Sequence, residues 1–278
     1  MIQSAADEFN APIMNLKTEL GKVRIWTTGV ALCSMLAGCA HHREFSGAEQ
    51  RAMATPPAFL TGSMALVLTN GRSYSAQIVF ETKTVWGSTQ AVSGNFAAAG
   101  TKLAFEPELT KSARKNAQAK MVFVWDTVQS SGYALNDALQ GYAPFSGPVR
   151  FTNIVAGKQN TAPQQLLGHE CEEETVIVNG EDGSINRLQV WRATDLRGFP
   201  LRIVSGDTNS SSLTFSKIQF GPPTELLMSS EGFTKYESPE AMVTELVARQ
   251  HNLSRRSEAA SEYPANLQHQ PPRPGQSY

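Results

Sequence analysis

The feature that most constrains the fold is a succession of short segments in which apolar and polar residues alternate, separated by turn residues. Residues 175–178 and 185–192 form one such pair, joined by the Asn-Gly-Glu-Asp-Gly segment at 179–183. Alternation with a period of two is typical of strands, and short loops rich in Gly, Asn and Asp join antiparallel neighbours. The sequence therefore predicts a mainly β domain with an antiparallel sheet.

Other segments extend this sheet. Strands are predicted at residues 64–69, 74–81, 102–106, 120–128, 201–204 and 212–220. The Asn70-Gly71 pair between the first two predicts a second hairpin, because both residues tolerate positive φ. A change of phase near Ser216-Lys217 predicts a β-bulge and a sharply curved sheet. A short helical turn is predicted at residues 135–139.

One helix is predicted after the strands. Ser238 can cap it, Pro239 suits the first helical position, and Glu240 lies at the positive end of the helix dipole. Its apolar stripe consists of Met242, Val243, Leu246 and Val247. Such a stripe predicts a helix that covers the sheet.

The run Met-Val-Phe-Val-Trp at residues 121–125 is apolar at every position. A strand with one wet face would alternate, so both faces of this strand are expected to be dry. Either a helix covers one face and a second layer the other, or one face lines an apolar cavity. Met121, Phe123 and Trp125 share one of the two faces.

The chain begins with a basic region followed by an uncharged, mostly apolar run at residues 25–38. The run is shorter than the about 20 residues that a membrane-spanning helix needs, and the pattern is typical of an export signal. The signal is long when counted from Met1 and of ordinary length when counted from Met14. We therefore expect translation to start at Met14.

The apolar run ends in Leu36-Ala37-Gly38-Cys39, which resembles the lipobox of bacterial lipoproteins. The resemblance implies cleavage before Cys39, a diacylglyceryl group on its thiol, and attachment of the mature protein to a membrane. The alternatives are an ordinary secretory signal or an apolar helix of the folded domain. Ala40 stands where an aspartate often retains lipoproteins at the inner membrane, which by analogy favours the periplasmic face of the outer membrane.

These motifs divide the chain into four parts. Residues 1–38 are the predicted signal, 39–57 the lipidated cysteine and a tether, 58–253 the folded domain, and 254–278 a Pro-rich tail predicted to be disordered. Cys171 is then the one internal cysteine of the mature protein. With no intramolecular disulfide, stability must come from core packing.

The layout between residues 62 and 236 resembles the lipoprotein-carrier (LolA/LolB-like) proteins of the bacterial envelope, and an uncharacterised lipoprotein family close to them. The likeness is carried by residues 168–171, 188–203, 220–223 and 231–236. It implies an α+β, mainly β fold: a curved antiparallel half-barrel with covering helices. It also implies an apolar hollow that accepts lipid or the acyl chains of lipoproteins.

The resemblance suggests which residues line such a hollow. Met121, Phe123 and Trp125 are the first candidates, and Trp191 is a further one because it shares a face with Arg187 and Gln189. The alternative is that all four are ordinary core residues, since large aromatic side chains dominate most cores.

Other chemistries find little support. The 24 basic and 25 acidic residues give a formal net charge of −1, so the sequence has no electrostatic footprint for nucleic acid. No catalytic residues, metal ligands or cofactors are predicted. His169, Cys171 and Glu173 share a strand face with metal-ligand chemistry, but nothing completes a tetrahedral set, and a core cysteine beside a turn histidine is the simpler interpretation.

The sequence thus predicts a lipid-anchored envelope protein, not an enzyme, that binds a hydrophobic ligand in a curved sheet. The alternative hypothesis is a structural or protein-interaction lipoprotein with a solid core and no ligand.

Overall fold

The computed structural model describes residues 46–69, 72–84, 87–108, 120–158, 162–206, 210–223 and 226–262. These residues belong to one compact unit. The predicted export signal, Cys39 and the Asn70-Gly71 turn lie outside them.

The described residues form four helices and thirteen strands. The helices are α1 (Gly47–Ala54), α2 (Ala58–Thr61), α3 (Met64–Leu68) and α4 (Pro239–Glu262). The strands are β1 (Tyr74–Lys83), β2 (Thr89–Ala99), β3 (Lys102–Pro107), β4 (Val122–Asp126), β5 (Ser131–Asn136), β6 (Gly141–Ser146), β7 (Phe151–Lys158), β8 (Gln164–Leu166), β9 (His169–Gly180), β10 (Ile185–Ala193), β11 (Phe199–Ser205), β12 (Ser211–Phe220) and β13 (Thr234–Lys235).

All the strands belong to one sheet in the order β13-β6-β5-β4-β3-β2-β1-β12-β11-β10-β9-β7, with β8 beside β9. Neighbours are antiparallel except β13, which runs parallel to β6. The sheet is curved and does not close. This confirms the predicted fold class, an α+β, mainly β half-barrel with covering helices.

The chain reaches this order in two passes. From β1 it passes through adjacent antiparallel strands to β6, which lies next to the edge strand β13. It then crosses to β7 at the other edge and returns through β9 to β12. The returning strand pairs with β1, so that Tyr74 lies opposite Phe220. The register between β1 and β12 shifts where Ser75 faces Gln219 but Gln77 faces Ser216. Lys217 there has φ of 51°, which confirms the predicted bulge.

Several strand predictions are confirmed, among them the hairpin of β9 and β10, in which Ile185 pairs with Asn179. The predicted helical turn at residues 135–139 is wrong, because β5 continues to Asn136. A four-residue turn follows, in which the Asn136 side chain accepts a hydrogen bond from the Leu139 amide at 2.9 Å. Asp126 ends β4 in the same way, accepting from the Val128 amide at 3.0 Å. The residues that predicted a helical turn therefore belong to the end of β5 and to this turn.

The strand predicted at residues 64–69 is also wrong, because residues 64–68 form helix α3. Met, Ala and Leu favour helix, and a short all-apolar run does not by itself distinguish a buried strand from a buried helix. In the structure this segment is buried on several sides, since Met64, Ala65, Val67 and Leu68 are all buried. A helix points its side chains in all these directions.

We call the face of the sheet that packs on the helices its inner face and the other its outer face. The main core lies between the inner face and α2, α3 and α4, and includes Phe96, Phe105 and Phe123. A smaller cluster of Ala97, Ala104, Val124 and Leu135 lies on the outer face, packed against Leu226, Leu227 and Phe233. Both faces of β4 are therefore covered, as the sequence predicted.

The last helix begins as predicted. The Ser238 hydroxyl accepts a hydrogen bond from the Ala241 amide at 3.2 Å, and Met242, Val243 and Leu246 are buried. Two expected boundaries differ from the structure: α4 continues into residues 254–262, which the sequence placed in the tail, and α1 occupies residues 47–54 of the expected tether. The two helices contact each other.

Candidate ligand-binding hollow

Three of the four candidate residues lie together on β4 and at its start. Met121, Phe123 and Trp125 are 2%, 0% and 3% exposed and belong to the main core. Their side chains point to the inner face because alternate residues of a strand share one side. The Trp125 ring stacks on Phe145 of β6, with centroids 5.7 Å apart and an interplanar angle of 10°.

The space that the inner face encloses, which we call the hollow, is filled by α2 and α3. Phe59 of α2 sits among Phe80, Phe96 and Phe105, with ring centroids 5.1, 6.3 and 5.2 Å away. The three partners come from β1, β2 and β3. Phe59 therefore lies at the centre of this aromatic cluster, and the residue is only 1% exposed.

Gly62 joins the two short helices. A Cβ at this position would lie 2.6 Å from the carbonyl oxygen of Ala58, a distance that real Cβ atoms do not show. The close approach favours glycine at this position, and the two helices, of four and five residues, together occupy the hollow.

A small recess marks the seam between this helical unit and the sheet. It is lined by Thr61, Gly62, Leu66, Trp125, Ser130 and Phe151, and its volume is about 10 Å³, about the room that one water molecule needs. Pockets for small-molecule ligands usually measure about 300–1,000 Å³. The recess is therefore far smaller than a ligand site of that kind, and Trp125 is the candidate residue that reaches it.

Trp191 lies apart from the other three candidates, on β10 in the other half of the sheet. It is half-buried at the margin of the main core. The Arg202 guanidinium carbon lies 5.5 Å from the centroid of its ring, within the range of a cation–π contact. The structure thus does not bring Trp191 to the hollow beside β4.

Sequence reasoning missed a charged pair in this half of the sheet. The Arg192 guanidinium donates to the Glu174 carboxylate and also to the carbonyl oxygen of Gly198, the latter at 3.2 Å. Glu174 alternates with the buried residues Val176 and Val178, so it lies on their side of β9. The ion pair is half-buried, with side-chain exposures of 29% and 16%, and its residues gave no motif in the sequence.

Cys171 is buried and its thiol is free. Burial raises the pKa of this thiol, and the negative charge of Asp195 raises it further. The His169 ring is paired with Asp195 and not with the thiol, since its Nδ1 lies 2.7 Å from the Asp195 carboxylate. Within the described ranges, no group of three or more His, Cys, Asp and Glu side chains is placed to hold a metal ion.

None of the described helices has both the length and the apolar character that crossing a bilayer would require.

No family model matches the chain, and no curated protein sequence matches it. Solved structures of similar fold include PNGF-II, with 13% identity and a TM-score of 0.34, matched over 63% of this chain and 32% of that one. The chain thus spans about a third of PNGF-II.

Two further solved structures are matched over nearly their whole length. A LolA superfamily protein from Nitrosomonas europaea shares 8% identity, with a TM-score of 0.31, over 58% of this chain and 91% of that one. The Mycobacterium tuberculosis lipoprotein LppX shares 14% identity, with a TM-score of 0.32, over 65% of this chain and 100% of that one. A LolA superfamily protein and a lipoprotein are thus among the solved structures that this mainly β chain resembles.

Proposed function

We propose that the chain is a cell-envelope protein, anchored by lipid at Cys39 on the periplasmic face of the outer membrane, that binds a lipid or another hydrophobic ligand in the hollow. The proposal rests on how the hollow is filled in the structure. An aromatic wall from several strands is covered by two short helices, α2 and α3, and not by the sheet itself. Displacing these helices would uncover a continuous apolar surface.

Entry of the ligand then begins at the recess. Trp125 lies at its wall, while Met121 and Phe123 lie deeper on the same side of β4. As α2 and α3 move outward, Phe59 leaves its place among Phe80, Phe96 and Phe105, and acyl carbon atoms take its place. Burying apolar surface contributes roughly 25 cal/mol per Å², which offsets the lost contacts of Phe59.

The proposal is tested with the full chain carrying Cys33→Ser and Cys39→Ser, from which lipids are extracted and identified by mass spectrometry. We expect an amphiphile with at least one acyl chain, near one per protein. Titration with 1-anilinonaphthalene-8-sulfonate, with and without Phe59→Leu, then measures access to the hollow. The smaller side chain should raise dye affinity, whereas Phe220→Leu at an exposed position should not.

A second candidate function is a structural or protein-interaction lipoprotein with a solid core. The near-complete burial of Met121, Phe123 and Trp125 favours it. Empty lipid extracts together with absence of saturable dye binding by the folded chain would support this second function and contradict the first.

The anchor is tested separately. Cells producing the chain are fed with radiolabelled palmitate, and label is expected in the wild type but not in Cys39→Ser. Equal labelling of both, or of neither, would contradict lipidation at Cys39 while leaving the ligand proposal open to its own test.

A further inference from the structure

The connections between strands lie at two ends of the sheet, because neighbouring antiparallel strands alternate in direction. At one end, Tyr74 begins β1 opposite Phe220, the last residue of β12. The turns β2–β3, β4–β5, β8–β9 and β10–β11 lie at the same end. We call this end of the sheet the rim, and it consists of residues 72–73, 100–101, 127–130, 167–168, 194–198 and 220–223.

Three segments of the rim carry large apolar side chains that are exposed. Val128, Leu167 and Phe220 are 59%, 56% and 49% exposed. Leu167 has φ of 53° and Gly168 has φ of 85°, a turn conformation that Asn-Gly pairs adopt most readily. A leucine in this turn is strained, because bulky side chains rarely adopt positive φ. Since Leu167 is exposed, burial within this chain does not offset the strain, which indicates a partner that covers the side chain.

The charged residues of the rim are Arg72, Asp195 and Arg197. Both arginines are exposed. The Asp195 carboxylate is already paired with a ring nitrogen of His169 at 2.7 Å. An approaching surface therefore meets two guanidinium groups and a carboxylate that has a partner, so the rim favours an anionic partner.

Hydrogen bonds place these arginines beside one of the exposed apolar side chains. The Arg72 guanidinium donates to the carbonyl oxygen of Arg197 at 3.0 Å, so the two residues are in contact. The carbonyl oxygen of Ser73 accepts from the Gly221 amide at 3.0 Å. Phe220 therefore adjoins the two arginines, and apolar and basic groups meet at the same part of the rim.

We propose that the rim docks on a bilayer that contains anionic phospholipids. Val128, Leu167 and Phe220 enter the boundary between headgroups and acyl chains, and Arg72 and Arg197 lie at the phosphate groups. Apolar side chains bind at this boundary by burying their surface, and each arginine near an anionic surface adds to the attraction.

The spacing of the apolar side chains favours lipid over a protein partner. Four strand spacings separate Val128 from Phe220 and three separate Phe220 from Leu167, about 19 and about 14 Å along the sheet. Protein interfaces have a contiguous, closely packed centre. Separate side chains at the tips of turns do not form such a centre, whereas fluid lipid surrounds each of them.

The opening of the hollow lies at the same rim. The recess beside α2 and α3 is lined by Thr127 and Ser130, which lie on either side of Val128 in the β4–β5 turn. Docking places the recess against the bilayer, so that a lipid passes from the bilayer to the hollow without crossing water. This step rests on the proposed function, because it names the bilayer as the source of the ligand.

The first test uses the full chain with Cys33→Ser and Cys39→Ser, so that docking is measured without a lipid anchor; buried Cys171 is the remaining cysteine. A nitrobenzoxadiazole dye attached at Leu167→Cys should gain about twofold or more in fluorescence on vesicles of phosphatidylcholine with about a quarter phosphatidylglycerol, because the dye enters apolar surroundings. The control is Ile185→Cys, 64% exposed at the opposite end of the sheet, where the dye should show no gain.

The second test compares variants by cosedimentation with the same vesicles. Leu167→Asn should lower the bound fraction severalfold without lowering the thermal unfolding midpoint, because asparagine tolerates positive φ. Ile185→Asn should leave binding unchanged. Arg197→Glu should weaken binding, whereas Lys83→Glu, the same charge change at an exposed position at the opposite end, should not.

Three results would overturn the proposal. They are no fluorescence gain at position 167 up to about 5 mM lipid, equal gains at positions 167 and 185, and equal loss of binding in Arg197→Glu and Lys83→Glu. Lipid extraction and palmitate labelling do not depend on these measurements, so either proposal can fail while the other stands.

Discussion

At the scale of single residues, Phe59 differs most from what sequence patterns indicate, whereas Cys171 lies in the core, as the simpler interpretation of its sequence expects. The ring of the neighbouring His169 faces Asp195. Phe59 belonged to no predicted element, yet it lies at the centre of the aromatic cluster. The signal that could have found it is the apolar Ala58-Phe59-Leu60 run directly after Pro57, since proline is common where a helix begins.

Cys171 predicts how stability depends on pH. Its pKa is raised in the folded state, so the unfolded thiol loses its proton first as the pH rises past about 8.5, and folding is progressively disfavoured above that pH. We expect the Cys33→Ser, Cys39→Ser chain to lose more unfolding free energy between pH 8 and 10 than the same chain with Cys171→Ala. Urea unfolding at each pH measures this, and parallel pH profiles would contradict it.

Phe59 predicts a large packing effect. Phe59→Ala should lower the unfolding free energy by about 3–5 kcal/mol, because it removes a ring from contact with three others and leaves a cavity.

Phe220→Ala is the matched control for this prediction. Phe220 is 49% exposed and meets Phe199 at 5.6 Å, so the cost should be about 1 kcal/mol. Urea denaturation of the two variants compares them. Similar losses would show that the packing around Phe59 is not tighter than at the surface.

At the scale of elements, local sequence signals were reliable where backbone chemistry fixes the conformation. The start of α4 at Pro239 and the hairpin between β9 and β10 were predicted from a cap and from turn residues. Strand β2 was missed because its Ala-rich, Gly-containing sequence has low strand propensity. It forms because β1 and β3 pair with it on both sides.

The cap of α4 is testable. Ser238→Ala should lower stability by about 1 kcal/mol, because the Ala241 amide loses the hydroxyl that accepts its hydrogen bond. Ser238→Asp should retain stability, since the carboxylate accepts the same bond and favours the positive end of the helix dipole. Thermal unfolding compares the three chains. Equal destabilisation by both substitutions would mean that the hydroxyl is not the stabilising group.

At the scale of the whole molecule, the sheet is held in register by pairing between distant parts of the chain. Strand β1 pairs with β12, so the two passes of the chain meet in the middle of the sheet. Such pairing closes only when both passes are formed, and it links all the strands into one cooperative structure.

Hydrogen exchange should reveal this arrangement. Amides of β1 and β12 that bond within the sheet should exchange only through global unfolding, whereas those of β13, a two-residue strand at the edge, should exchange through local opening. Exchange measured by NMR across a denaturant series distinguishes the two. Exchange of β1 amides that is independent of denaturant would contradict a central position for this pairing.

The sequence by itself determined the mainly β class, the two-sided burial of β4 and the start of α4, because alternation, apolar runs and caps act over a few residues. Only the tertiary structure decided that residues 64–68 are helix, that Phe59 fills the hollow and that Trp191 lies apart from Met121, Phe123 and Trp125. The physical reason is that these outcomes depend on which surfaces meet. A buried apolar segment takes the conformation that its neighbours leave room for, and those neighbours lie far away in the sequence.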